Sequence, residues 1–69
     1  MRSVLGENVR AYRARRNLSQ EKLAELSGSH QTYISAVEHG TSAATVDVIS
    51  RIATALDVPP WRLLQPEHH

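Results

Sequence analysis

Between Leu18 and Gly40 the chain reads LSQEKLAELSGSHQTYISAVEHG, and one glycine divides this stretch into two short helical patterns. Gly28 can supply the positive φ of a tight turn at little steric cost. Ala24, four residues before it, offers the small side chain that two closely crossing helices need at their contact. The second pattern has small polar residues at its start and apolar residues on one side. The remainder of the chain is then expected to hold these two helices at a fixed angle and to pair them with a second copy.

The length of 69 residues allows one domain, expected over residues 1–69 with its core at about 5–64. A chain this short buries only about 60% of its unfolded surface, so its core is thin. Hydrophobic residues make up 41% but aromatic ones only 4%, with no Phe, so Leu, Ile, Val and Ala must fill the interior. Dimerisation would help such a core. The absence of Cys excludes a disulfide framework and a zinc-finger pattern. No apolar run suits a membrane span or a signal-peptide core, and a soluble cytoplasmic protein is the default expectation. The net charge of +1 is too small to argue for nucleic acid by itself. Its distribution says more. Arg10, Arg13, Arg15 and Arg16 crowd one segment, whereas no Lys or Arg occurs from Leu23 to Ser50. Binding to DNA through this region would rest on amides, hydroxyls and helix N-termini as much as on cations.

Periodicity predicts five helices. The first runs from about Val4 to Arg16, with Leu5, Val9 and Tyr12 forming one apolar stripe at i, i+4 and i+7. Arg13 sits beside that stripe, while a solvated face accounts for the other arginines. Asn17 tolerates the left-handed backbone that ends a helix. Ser19 suits the N-cap of a second helix from Gln20 to about Ser27, with Leu23, Ala24 and Leu26 turned inward. The third runs from His30 or Gln31 to about His39. Ile34, Val37 and Tyr33 face in; Gln31, Thr32, Ser35 and Ala36 face out. Gly40 ends it, and the loop Thr41 to Ala44 has no other strong turn residue. Thr45 caps a fourth helix that reaches Leu56, buries Val48, Ile49, Ile52, Ala53 and Leu56, and carries Asp47 at its positive end. Val58-Pro59-Pro60 breaks it and starts a short fifth helix bearing Trp61, Leu63 and Leu64. Gln65 to His69 is read as a frayed tail, and the terminal His pair is set aside from functional reasoning.

Two short helices joined at a glycine turn have the layout of a helix-turn-helix, whose second helix lies in the major groove. Over about residues 5 to 64 the chain also resembles the Cro/C1-type domains of phage repressors and the xenobiotic-response-element family. The features agree in order: Arg13, Leu18-Ser19-Gln20, Leu23-Ala24, Gly28, Tyr33-Ile34-Ser35, Val37-Glu38, Gly40, and Ile52-Ala53 to Leu56-Val58. The resemblance implies an all-α, five-helix lambda-repressor-like fold that binds a palindromic operator as a homodimer. It implies base contacts from Gln31, Thr32, Ser35 and Ala36, and a phosphate contact from Gln20. It places His39 near the DNA backbone, and Arg10 and His30 are assigned to phosphate as well. It pairs Arg13 with Glu38. Gln can bond an adenine edge twice, and Thr offers thymine a methyl group and a hydroxyl. Two positions depart from the family pattern: Ser29 stands where an apolar side chain is usual, and His30 where a small N-cap is usual. Both are expected to weaken the anchoring of the third helix or to alter how its start meets DNA.

Each assignment has a plainer reading. Gln31 and Thr32 could be an ordinary polar helix start, Gln20 a solvated side chain, and His30 and His39 idle surface groups. Arg13 with Glu38 is read as structural. Trp61 and Leu64 serve as core of the fifth helix, as dimer contacts, or as both. His30 and His39 stand nine positions apart with no HExxH pattern, so neither an enzyme nor a metal site nor a cofactor is expected. The leading expectation is a transcriptional regulator on double-stranded DNA. Thr32-Tyr33-Ile34-Ser35 also looks like the controller proteins of restriction–modification systems. The rival from another class is an antitoxin or interaction module that uses this fold to bind a protein partner such as a toxin.

Overall fold

Leu5, Val9 and Tyr12 turn to one side of the first helix, and all three are buried. The computed structural model describes residues 2–66. It contains α1 (Arg2–Arg15), α2 (Gln20–Ser27), α3 (Gln31–Glu38), α4 (Val46–Leu56) and α5 (Pro60–Leu64). α2 packs against α3 and α4, while α1 lies across α3 and α5. The core between them is made by the α1 stripe, Leu23 and Ala24 of α2, Ile34 and Val37 of α3, Ile49, Ile52, Ala53 and Leu56 of α4, and Leu63 of α5. Each large aliphatic side chain withdrawn from water contributes about 1.5–3 kcal/mol, which is how short helices with modest propensity hold together. Among the described residues no helix is long and apolar enough to cross a membrane.

The helix ends follow local chemistry. Asn17 takes φ of 56° after α1. The Ser19 hydroxyl accepts from the Lys22 amide at 2.9 Å, and the Thr45 hydroxyl from the Val48 amide at 3.2 Å. Asp57 closes α4 in the left-handed region at φ 61°. Gly28 takes φ of 71°, and the next amide, that of Ser29, donates to the Ala24 carbonyl at 2.8 Å. The turn thus closes through its backbone, without the apolar side chain usual at position 29. At the far end of α3 the Thr41 amide and hydroxyl both donate to the Ala36 carbonyl, at 3.0 and 3.2 Å. The half-buried Tyr33 sends its hydroxyl to the Ala43 carbonyl at 3.2 Å. These bonds give the 41–44 loop a structure that its composition does not announce.

Several expectations need correction. Leu26 is not inward: it is 51% exposed, because α2 buries only the side that carries Leu23, Ala24 and Ser27. Val48 is half-buried rather than central to the α4 stripe. The core position of α5 belongs to Leu63, whereas Trp61 is 57% exposed. Gln65 is not simply frayed, since its carbonyl accepts from the Asn8 side chain at 2.8 Å. The rest of the expected tail, 67–69 with its His pair, lies outside the described residues.

Two residues of α1 set where its neighbours sit. Asn8 is buried, and its amide nitrogen donates to the carbonyls of Leu63 and Gln65, each at 2.8 Å, satisfying the last turn of α5 from below. Gly6 is where α1 touches the end of α3. A Cβ there would stand 2.5 Å from the Val37 carbonyl oxygen and 2.6 Å from that of Glu38. We therefore predict that Gly6→Ala destabilises the protein by about 1–3 kcal/mol through overpacking, although alanine is the better helix former. Gly28→Ala, with open space around its Cβ, should cost about 1–2 kcal/mol through backbone strain alone. Urea unfolding measures both, and a Gly6→Ala variant as stable as the parent would contradict the close approach.

Candidate nucleic-acid interface

α3 buries Ile34, Val37 and Glu38 and leaves its opposite side open. Gln31 and Thr32 are exposed at its first turn, and Ser35 and Ala36 are half-exposed one turn on. The four candidate base contacts therefore share the outward side of one helix. His30 is the N-cap of α3 and is exposed, with extended backbone and no capping hydrogen bond from its side chain. The leading amides of α3 thus keep their partial positive charge for whatever approaches them. His39 lies just past the helix and is exposed. Its Nδ1 stands 2.7 Å from the Ser35 carbonyl oxygen. A carbonyl only accepts, so Nδ1 carries the proton and donates, leaving Nε2 directed elsewhere.

Behind this surface lies an ion pair. Arg13 Nε and Nη2 bond the two oxygens of Glu38 at 2.7 and 3.0 Å, a fork-to-fork arrangement. Arg13 retains 19% side-chain exposure and Glu38 only 1%. The hydrogen bonds to Glu38 raise the Arg13 pKa above its ordinary value; burial opposes the shift and the attraction of the carboxylate adds to it. The same guanidinium donates through Nη1 to the Leu18 carbonyl at 2.9 Å, so one side chain ties α1, the start of the helix pair and α3 together. Arg10 donates to the main-chain carbonyl of Glu38 at 3.3 Å. Its charge therefore sits at the negative end of α3 rather than standing free, though the residue itself is exposed. Gln20, half-buried at the start of α2, donates through Nε2 to Glu38 Oε1 at 3.0 Å. Trp61 and Leu64 lie away from the core on α5, 57% and 36% exposed.

An all-helical domain with an exposed, polar-faced second helix in a glycine-turned pair defines a helix-turn-helix DNA-binding domain. The Helix-turn-helix family profile matches residues 9–60, and the chain belongs to that family, of Cro/C1 type. It is similar to the control protein C.SmaI of Serratia marcescens, 45% identical over 64 residues that span 93% of this chain and 76% of that one. It is equally similar to the control protein C.BamHI of Bacillus amyloliquefaciens, 45% identical over 65 residues, 93% of this chain and 80% of that one. The crystal structure of the restriction–modification controller protein C.AhdI from Aeromonas hydrophila superimposes with a TM-score of 0.88 at 39% identity, covering 90% of this chain and 94% of that one. The five helices are thus the lambda-repressor-like fold. The chain is a helix-turn-helix transcriptional regulator that binds DNA.

Sequence reasoning missed Asn8 and Gly6. Both left a signal: Asn8 is a polar residue three positions along the apolar stripe from Leu5, and Gly6 is a costly helix residue beside it. It also missed the Gln20–Glu38 bond, which no spacing rule announces. The ion pair itself generates a test. We predict that Arg13→Met costs about 3–5 kcal/mol, because it strands a buried carboxylate. Adding Glu38→Leu should recover most of that loss, since the apolar pair no longer needs hydration. A single variant that unfolds within ~1 kcal/mol of the parent would show the pair to be dispensable.

Proposed function

We propose that the protein binds a two-fold symmetric operator as a homodimer, each copy laying α3 in one major groove. Half-sites would then lie about one helical turn apart, roughly 34 Å. The observation that carries this reading is the joint exposure of Gln31 and Thr32 on the uncapped first turn of α3, backed by the resemblance to control proteins of restriction–modification systems. Gln31, Thr32, Ser35 and Ala36 read base edges. Gln20, His39, His30 and Arg10 meet phosphates. Trp61 and Leu64 meet their counterparts in the second copy, where the exposed indole and leucine gain burial that the monomer does not give them. Such a regulator works where the chromosome is, in the cytoplasm.

Gln31 heads the helix, and a bidentate Gln–adenine contact discriminates by about 1–3 kcal/mol. Selection of bound duplexes from a random pool should return a palindrome, and Gln31→Ala should relax it at one or two positions per half-site. An unchanged consensus would remove Gln31 from the base contacts. Gln20 is uncharged and releases no counterion, so Gln20→Ala should weaken all sequences alike at an unchanged salt slope. Arg10→Ala should flatten that slope by about 0.9, the value for one phosphate on duplex DNA. Fluorescence anisotropy at several salt concentrations reads both. No binding to random duplex below about 50 mM salt would favour the toxin-binding alternative over DNA.

A further inference from the structure

Glu38 has more to do than hold Arg13. Its carboxylate is almost closed to solvent, with 1% side-chain exposure, and takes three hydrogen bonds. Oε2 accepts from Arg13 Nε at 2.7 Å; Oε1 accepts from Arg13 Nη2 and from Gln20 Nε2, each at 3.0 Å. The two arginine bonds are enough to join α1 to α3. The third reaches a different element, the first residue of α2, which is the side chain proposed above to meet phosphate.

The chemistry of the two groups gives this bond a direction. An ionised carboxylate has acceptors only, so the amide of Gln20 must turn its nitrogen toward Glu38 and its oxygen away. An amide nitrogen carries two N–H groups, and Glu38 occupies one. A phosphate also has only acceptors to offer, so only the second N–H can serve it. A Gln at a free helix start samples many rotamers and both amide orientations, and ordering one such side chain costs about 0.5–1.5 kcal/mol on binding. Here the ordering is present before DNA arrives. Arg13 makes it tolerable, because its charge cancels that of a carboxylate held close to the approaching backbone.

We propose that Glu38 is a positioning residue for DNA binding, gripping the Gln20 amide nitrogen by one N–H so that the other is presented to a backbone phosphate. The inference rests on the reading of Gln20 as a phosphate contact. It adds that the residue is aimed by the same carboxylate that fixes the helix pair.

Two experiments test it. In the unaltered protein, side-chain NMR should find the two Gln20 amide protons unlike, one slow to exchange and unmoved on adding a random duplex, the other fast and shifting. Two protons that exchange and shift together overturn the proposal. The second is a cycle on the apolar replacement Arg13→Met with Glu38→Leu, which removes the grip without leaving a buried charge. Duplex affinity should fall about three- to tenfold, the net worth of one hydrogen bond, and should not fall when Gln20→Ala is already present. An equal fall in both backgrounds overturns the positioning role while leaving Gln20 on phosphate. A Gln20→Ala variant that binds as the parent does removes the phosphate contact and this inference with it.

Discussion

Three segments of the protein converge on one buried carboxylate, and the geometry of the helix pair's exposed surface follows from how that charge is satisfied. Glu38 lies at the end of α3, where the helix dipole already makes negative charge unwelcome. It persists because Arg13 answers both oxygens and Arg10 answers the carbonyl above them. A charge moved out of water costs several kcal/mol unless its partner geometry is good, so the arrangement is all or nothing. Either α1 and α3 meet at one angle, or the carboxylate is stranded. A Leu–Leu contact at the same place would tolerate sliding; a two-point guanidinium fork does not. This is how a core of small aliphatics in a 69-residue chain can still define the orientation of a recognition helix.

The electrostatics of the open surface differ in kind from those of the pair. No Lys or Arg lies between Leu23 and Ser50, so α3 brings no cationic side chain of its own to a phosphate. What it offers are amides, hydroxyls and the uncapped start of the helix. Such groups gain less from long-range attraction and more from being held in place, since a neutral donor must already point at its acceptor to contribute. Preorganisation therefore matters more here than it would for a lysine-rich helix. Four arginines crowd the second half of α1 and its end, and each is engaged: Arg13 and Arg10 at Glu38, Arg15 over the Tyr12 ring, and Arg16 with Asp57 at 3.0 Å.

Much of this was legible in the chain. Helix positions followed from stripes such as Leu5, Val9 and Tyr12 and from caps such as Ser19, Thr45 and Gly28, because those signals are local. Leu26 misled, since an apolar residue next to a stripe looks like part of it until the side that α2 buries, that of Leu23, Ala24 and Ser27, is known. Trp61 and Leu63 could not be ranked for the same reason: five residues make little more than one turn, and which side turns inward depends on α1 and α4. The pairing of Arg13 with Glu38 came from family likeness and proved geometrically sound. The Gln20 and Asn8 bonds were out of reach, because each joins groups far apart in sequence and neither residue type announces its partner.

The partners of Asn8 lie 55 and 57 positions further along the chain. During synthesis, at about 5–20 residues per second, that amide waits seconds for its acceptors. Until they arrive, the inner side of α1 carries an unmet polar group beside Val9, and the helix that bears Arg13 lacks its seat against α5. The seating of α1, and with it of Arg13, therefore depends on a segment more than fifty positions away, and a change at Leu63 or Gln65 would be felt at the opposite end of the sequence.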